Sequence, residues 1–281
     1  SLVGSEMCIR DSCENTDSSK LKKIIQPLHP ADLADLLTFL DKNQRTYILK
    51  VLDQEQYTNV LAELDDTIID ETFEESEDAK IVQSISEMET DDAINLIETL
   101  EPDVQKNILD QVNPSIREIF QESLNYPVDS AGRRMQKEFV SMPSYWTVGQ
   151  AIDHLREEVD LPDDFYELFV VDPSNRPLGS VSVSRVLKSK RNIKLNDILD
   201  ASPKFVDASM DQEEVALFFE QYSLVSSGVV DVHNRLIGRI TADDIVWVLQ
   251  EEAEEDILRL LSLIHISEPT RLLSIAYAVF C

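Results

Sequence analysis

Between Lys20 and about Leu124 the apolar residues fall in short clusters: Leu36–Leu37–Leu40, Ile48–Leu49–Leu52, Val60–Leu61–Leu64, Ile81–Val82–Ile85, Leu96–Ile97–Leu100 and Ile108–Leu109–Val112. Each has the spacing i, i+1, i+4, which lays three side chains on one stripe of a helix. Leu36 to Ile48, Ile48 to Val60 and Leu96 to Ile108 are each twelve residues, room for a short helix and a turn. Capping residues fit the period. Pro30, Ala31 and Asp32 precede the first helix, Thr90, Asp91 and Asp92 the fifth, and Pro102 with Asp103 the sixth. No glycine stands between Gly4 and Gly132. The pattern predicts an all-α, superhelical domain over residues 20–125, in which each helix is buried by its neighbours as in a solenoid.

Beyond Pro127 and Gly132 the pattern changes to β-branched runs, and a second periodicity takes over. Phe169-Val-Val-Asp-Pro-Ser-Asn-Arg-Pro-Leu-Gly179 lies over Gly228-Val-Val-Asp-Val-His-Asn-Arg-Leu-Ile-Gly238 at a constant offset of 59 residues, as from Asp172 to Asp231. Each copy reads as strand, Asn-containing turn, strand and helix, with a further helix ahead of it at Val148–Glu158 and Gln212–Tyr222. The organisation expected is a linker at 126–140, a first α/β copy at 141–199 and a second at 200–250, then an acidic helix from 251 to 260. The ends, residues 1–19 and 261–281, are set aside: 1–12 and 261–281 resemble translated sequencing-adapter read-through. The apolar stretch at the C-terminus is far short of the roughly 20 residues that span a bilayer.

Charge narrows the classes of partner. Asp and Glu number 54 against 25 Lys and Arg, a formal net charge of −29. Such a field repels nucleic acid and anionic lipid and attracts cations. Its ordinary meaning is a solubilising surface. Cys8, Cys13 and Cys281 lie near the ends, and His29, His154, His233 and His265 are scattered singly. A disulfide framework and a zinc cluster are therefore not expected. No nucleophile elbow, Walker loop or His–carboxylate set points to an enzyme.

Two tandem copies of about 60 residues resemble the CBS-domain pair, whose signature ends Gly-x-hydrophobic-Ser/Thr-x-x-Asp. The second copy matches in full, Gly238-Arg-Ile-Thr241-Ala-Asp-Asp244, and the first gives Gly179-Ser-Val-Ser182-Val-Ser-Arg185. Tyr126-Pro-Val-Asp-Ser-Ala-Gly-Arg-Arg-Met135 resembles the segment that joins helical domain to CBS pair in MgtE-type magnesium transporters. Glu251-Glu-Ala-Glu-Glu-Asp-Ile-Leu-Arg-Leu260 resembles the start of their plug helix. The resemblance runs from about Ile24 to Leu260, in the family's order. It implies a Mg²⁺-sensing region at the cytoplasmic face of the plasma membrane, homodimeric through its CBS pairs. Its other partner would be a transmembrane domain following Leu260.

The same resemblance implies a set of metal-binding carboxylates. Asp91 and Asp92 at one helix start and Asp243 and Asp244 at another would share Mg²⁺ across the domains, with the start of a helix also a sufficient reason for acids there. Glu63, Asn95, Glu213, Glu252, Glu255 and Asp256 are further candidates. The like charges of the acidic helix, at i, i+4, weaken it and make it responsive to a cation. Trp247 and Ser223 stand where further family acids are expected. ATP is the second ligand implied, with Arg185, Ser182, Val206 and Leu224 as contacts. Val186 and Leu224 depart there from the acid and the aromatic that the family pattern calls for. An adenine-nucleotide-sensing CBS module and a plain helical scaffold are the rival readings.

Overall fold

The computed structural model describes residues 9, 18–65, 68–69, 72–73, 78–158, 161–162, 164–200, 204–246 and 248–249. The chain divides into two units, Ser1–Asn125 and Tyr126–Cys281.

In the first unit the apolar clusters become helices α2 (Pro30–Thr38), α3 (Lys42–Val51), α4 (Gln54–Ala62), α5 (Asp78–Glu87), α6 (Thr90–Thr99) and α7 (Pro102–Gln111). They are flanked by α1 (Ser18–Ile25) and α8 (Pro114–Leu124), which lie outside the cluster pattern. Most helix starts carry a local device. Pro opens α2, α7 and α8, and Asp41 with Gln44 forms a reciprocal capping box on α3. The last member of several clusters is the residue that ends its helix: Leu52, Leu100 and Val112 are C-caps. Each such residue buries its side chain where the backbone turns, so the stripe continues into the next helix. The twelve-residue spacing is thus a helix of about ten residues plus a two-residue turn.

α1 packs on α3, α2 on α4, α4 on both α5 and α6, α5 on α7 and α6 on α8. Leu37, Ile48, Ile85 and Ile97 are wholly enclosed, and each such side chain contributes on the order of 1.5–3 kcal/mol. A polar contact fixes the register of α4 against α5. Gln54 Nε2 and Thr58 Oγ1 both donate to Ser84 Oγ, at 2.9 and 3.0 Å. Lys80 reaches the end of α3, donating to the Leu49 and Leu52 carbonyls at 3.1 and 3.3 Å. There its charge meets the negative end of the helix dipole.

The second unit holds two three-stranded sheets of one design. β1 (Ser141–Pro143), β2 (Glu167–Val171) and β3 (Pro177–Ser182) form one, in that order. β4 (Phe205–Asp207), β5 (Ser226–Val230) and β6 (Leu236–Thr241) form the other. In each the first pairing is parallel and the second antiparallel, with an irregularity at Val170/Val171 and at the matching Val229/Val230. The hairpin turns repeat atom for atom. Asp172 Oδ1 accepts from the N–H groups of Ser174 and Arg176, and Asp231 Oδ1 from those of His233 and Arg235. Asn175 and Asn234 take the left-handed conformation, φ 59° and 57°, which Asn tolerates better than most residues. Helices α10 (Val148–Glu157) and α12 (Gln212–Tyr222) precede the hairpins, and α11 (Val183–Lys188) follows the first.

The stretch expected as a linker, 126–140, is built into this second unit. It contains α9 (Ala131–Arg134). Ala131 and Gly132 donate to the Met210 and Ala208 carbonyls, both at 2.8 Å, and Gln212 N–H to Asp129 at 2.9 Å. Gly132 is required by close approach: a Cβ there would lie 2.5 Å from Tyr126 Cδ1 and 2.9 Å from the Ala208 carbonyl oxygen. Met135 is wholly buried in the core of the second copy, with Val206, Val229 and Ile240. Among the described residues no helix is long and apolar enough to cross a membrane.

Candidate carboxylate and nucleotide-facing residues

Asp91 and Asp92 lie in the first turn of α6, and Glu89, not Thr90, is its N-cap. The expected cap is therefore displaced by one residue, because Thr90 already has helical backbone and is itself buried. Both carboxylates complement the positive end of the helix. Asp91 is only 5% exposed and Asp92 half-buried. A carboxylate enclosed to that degree is costly to charge unless donors or a cation compensate it. Asn95, one turn on, is half-buried too.

Glu63 is the exposed C-cap of α4. It stands at the negative end of a helix, where a nearby cation would be favourable. Glu213 is exposed in the first turn of α12, its N–H donating to Asp211 Oδ1 at 2.9 Å.

After β6 the chain turns into a helix that begins at 242, so Asp243 and Asp244 occupy its first turn rather than its cap. Thr241 is the residue at the turn. Asp244 Oδ2 accepts from both Thr241 N–H and Thr241 Oγ1, each at 2.8 Å, so Asp244 has a structural task whatever else it does. Asp243 is exposed. In the first copy the equivalent pair is Ser182 and Arg185, and this locking bond is replaced. Ser182 Oγ lies 3.2 Å from Ser184 Oγ, and the exposed Arg185 reaches the Leu199 carbonyl at 3.5 Å.

Of the other residues expected at a nucleotide, Val206 is wholly buried on β4, an edge strand. Leu224 is half-buried against the same core, just beyond the left-handed Ser223 that ends α12, φ 51°. Val206 and Leu224 thus belong to one core, and Ser182 and Arg185 to one strand-to-helix turn. Glu252, Glu255, Asp256 and Trp247 lie outside the described residues. Among the described residues no three His, Cys, Asp or Glu side chains converge to hold a metal ion.

Two features escaped the residue-by-residue reading. Arg134 and Arg239 are buried, Arg134 Nε donating to Gln212 Oε1 at 3.2 Å and Arg239 Nε to Gln136 Oε1 at 2.7 Å. Glu167, half-buried on β2, has its carboxyl pushed above the usual range by burial; a Ser180 hydrogen bond opposes the rise and the charge of Asp200 adds to it. Overlaying the two copies would have flagged both, since Glu167 and Arg239 fall opposite Ser226 and Ser180.

Comparison with known proteins agrees with this layout. Residues 28–129 match the model of the MgtE intracellular N domain, and residues 195–251 that of the CBS domain. The magnesium transporter MgtE of Bacillus subtilis (strain 168) is 35% identical over 133 residues, 47% of this chain and 30% of that protein. The magnesium transporter MgtE of Thermus thermophilus is 33% identical over 135 residues, 48% of this chain and 30% of that protein. The aligned part of the chain thus spans 30% of the length of these curated relatives. The crystal structure of the soluble part of a magnesium transporter superposes with TM-score 0.82 at 23% identity, over 90% of this chain and 100% of that one. The cytosolic domain of the Mg²⁺ channel MgtE in complex with ATP superposes with TM-score 0.82 at 24% identity, over 86% and 99%. At these identities the two superpositions speak for the fold. Helical unit, joining motif and repeated unit occur here in one order, and the chain accordingly carries an MgtE intracellular N domain followed by a CBS pair, the layout of the soluble part of a magnesium transporter.

Proposed function

We propose that this region senses intracellular Mg²⁺ and gates a magnesium-conducting membrane domain that follows it in the whole protein. When Mg²⁺ is scarce, carboxylates on the two units repel and the region is loose. When it is abundant, Mg²⁺ bridges them, the region closes, and the acidic helix from residue 251 holds the pore shut. The observation that carries this reading is the match of 28–129 to the MgtE intracellular N domain, on a chain with acid pairs at two helix starts, Asp91–Asp92 and Asp243–Asp244. Mg²⁺ prefers oxygen ligands and keeps several waters, so two or three carboxylates suffice. Two carboxylates about 6 Å apart, at an effective dielectric of about 20, repel by roughly 3 kcal/mol. Two such contacts reach the roughly 5.5 kcal/mol that swings a two-state switch from end to end.

Titration calorimetry and small-angle scattering of the full chain, at fixed ionic strength, test the reading. Millimolar Mg²⁺ is expected to bind and to lower the radius of gyration, and monovalent salt to do neither. Replacing Asp91, Asp92, Asp243 and Asp244 by Asn is expected to compact the chain without Mg²⁺ and remove most of the Mg²⁺ response. A quadruple variant that binds and compacts like the parent would overturn the assignment. A second reading, adenine-nucleotide sensing, draws on the ATP complex of the related cytosolic domain and on the exposed Arg185 beside Ser182. It predicts nucleotide heat without Mg²⁺.

A further inference from the structure

On β2 the side chains alternate between two destinations. Leu168 and Val170 belong to the core of their own copy, while Phe169 between them lies on the other face of the sheet. Phe169 is nevertheless only 2% exposed, because the second copy and Phe139 cover it. Its ring lies 6.4 Å from that of Phe205 on β4, tilted by 52°, and 6.3 Å from that of Phe139, edge-on. Its Cε1 stands 3.2 Å from the point that a Cβ on Gly228 would occupy, and Phe205 Cδ1 stands 3.0 Å from the same point. Phe169 and Gly228 are the same position of the repeat. The ring of one copy thus fills the space left by the missing side chain of the other.

The neighbouring strand shows the reverse exchange. Ser141 on β1 pairs with Phe169, and Phe205 on β4 pairs with Gly228. Each copy therefore carries one aromatic and one small residue, with the aromatic on the middle strand of the first copy and on the edge strand of the second. Two first-copy faces would set Phe169 against another Phe169, and two second-copy faces would set Gly228 against Gly228 across a gap. A second contact between the copies is one-sided too. Leu236 N–H donates to the Asn175 carbonyl at 2.9 Å, and Asn175 Nδ2 to the Leu236 carbonyl at 2.8 Å. The repeat puts Asn234 at the position of Asn175 and Pro177 at that of Leu236. Proline has no N–H, so the reciprocal bond cannot form.

We propose that the buried face of each CBS copy selects the other copy as its partner and rejects its own kind. Phe169 and Gly228 are the selecting residues, and Asn175 is the one-sided pin. Selectivity of this sort rests on the mismatch built against the wrong partner as much as on the fit to the right one. A duplicated unit with identical faces would be open to like-with-like pairing between chains, by exchange of copies. Here that exchange gives crowded rings or a cavity, and two first copies would also meet Asn175 with Pro177, which has no donor for it. Association of chains therefore leaves this face intact and uses other surfaces. The proposal rests on contacts within the second unit and is independent of the Mg²⁺ reading.

Amide hydrogen exchange by NMR on the full chain tests it. The Leu236 amide reports the bond across the copies, and the Asp231 amide, which donates to the Arg235 carbonyl at 2.9 Å, reports the second copy's own turn. Phe205→Ser with Gly228→Phe installs the first copy's pair in the second, on a backbone design that already accepts it. Leu236 protection is expected to fall roughly tenfold or more, while that of Asp231 holds. Adding Ser141→Phe and Phe169→Gly exchanges the two faces completely and is expected to restore most of the Leu236 protection. Where either combination fails to fold, Asn175→Gly and Asn234→Gly decide. Both keep the left-handed turn, and only the first is expected to lower Leu236 protection, by about threefold to tenfold. A Leu236 amide as protected in the double variant as in the parent would overturn the proposal. So would a quadruple variant that keeps its Asp231 protection yet leaves Leu236 no better protected than the double, or equal effects of the two glycine substitutions.

Discussion

Replacing Asp244 separates its work as a cap from any work as a metal ligand. Its Oδ2 accepts two bonds from Thr241, backbone and hydroxyl, each at 2.8 Å, and Thr241 is only 4% exposed. Hydrogen bonds to a carboxylate contribute about 1.5–3 kcal/mol when desolvated, and partial exposure of Asp244 reduces the pair to roughly 2 kcal/mol in all. Asp244→Ala leaves two buried donors without this acceptor. For a domain of about 150 residues the loss corresponds to a fall in melting temperature of roughly 4–8 °C. Asp244→Asn keeps an acceptor oxygen at nearly the same place and is expected to cost less than about 1 kcal/mol. The assay is thermal and denaturant unfolding of the second unit's transition, without divalent ions, followed by the same series in millimolar Mg²⁺. Without Mg²⁺ the Ala variant should melt well below the parent and the Asn variant close to it. A Mg²⁺-dependent gap between the parent and Asn curves would then report the charge alone. An Ala variant that melts with the parent, or an Asn variant as weak as Ala, would refute the capping argument.

Two further expectations follow from the second unit. Gly132→Ala puts a Cβ 2.5 Å from the Tyr126 ring and should destabilise the unit by about 1–3 kcal/mol in denaturant unfolding; an added Tyr126→Ala should recover only part of this, because the Ala208 carbonyl oxygen, at 2.9 Å, stays in the way. Burial raises the proton affinity of Asp231, but the Arg235 N–H, the Arg235 guanidinium and the His233 N–H outweigh it and hold the carboxyl below its usual value. This contribution is present above the unfolded pKa of about 3.9 and is lost as pH falls through the lower folded value. Asp231→Asn should therefore lose less stability than the parent between about pH 5 and 3, and equal losses in acid unfolding would count against the turn's role.

Most of the fold was legible because it is repetitive. The stripe Ile48–Leu49–Leu52 fixes a helix whose last member must sit where the chain turns, and the structure makes Leu52 the C-cap. The offset that relates Asp172 to Asp231 fixes two identical hairpins, down to the left-handed Asn175 and Asn234. The packing of the joining segment was not legible locally. Ala131, Gly132 and Gln136 show no period of their own, and the carbonyls that bind them come from Met210, Ala208 and Arg239, far along the chain.

The candidate site was legible only in part, and the reason is burial. Two acids at a helix start look alike in sequence whether they face water or protein. Yet Asp91 is enclosed and Asp243 exposed, and charging them costs very different free energies. Thr241 and Asp244 could be paired from the sequence by their spacing of three, the reach of an N3 side chain back to its cap. The same spacing in the first copy gives Ser182 and Arg185, where the cap cannot form because Arg has no acceptor. That one exchange frees the first copy's turn, leaving Ser182 and Arg185 to other partners. It also marks the two copies as chemically unequal on a common backbone.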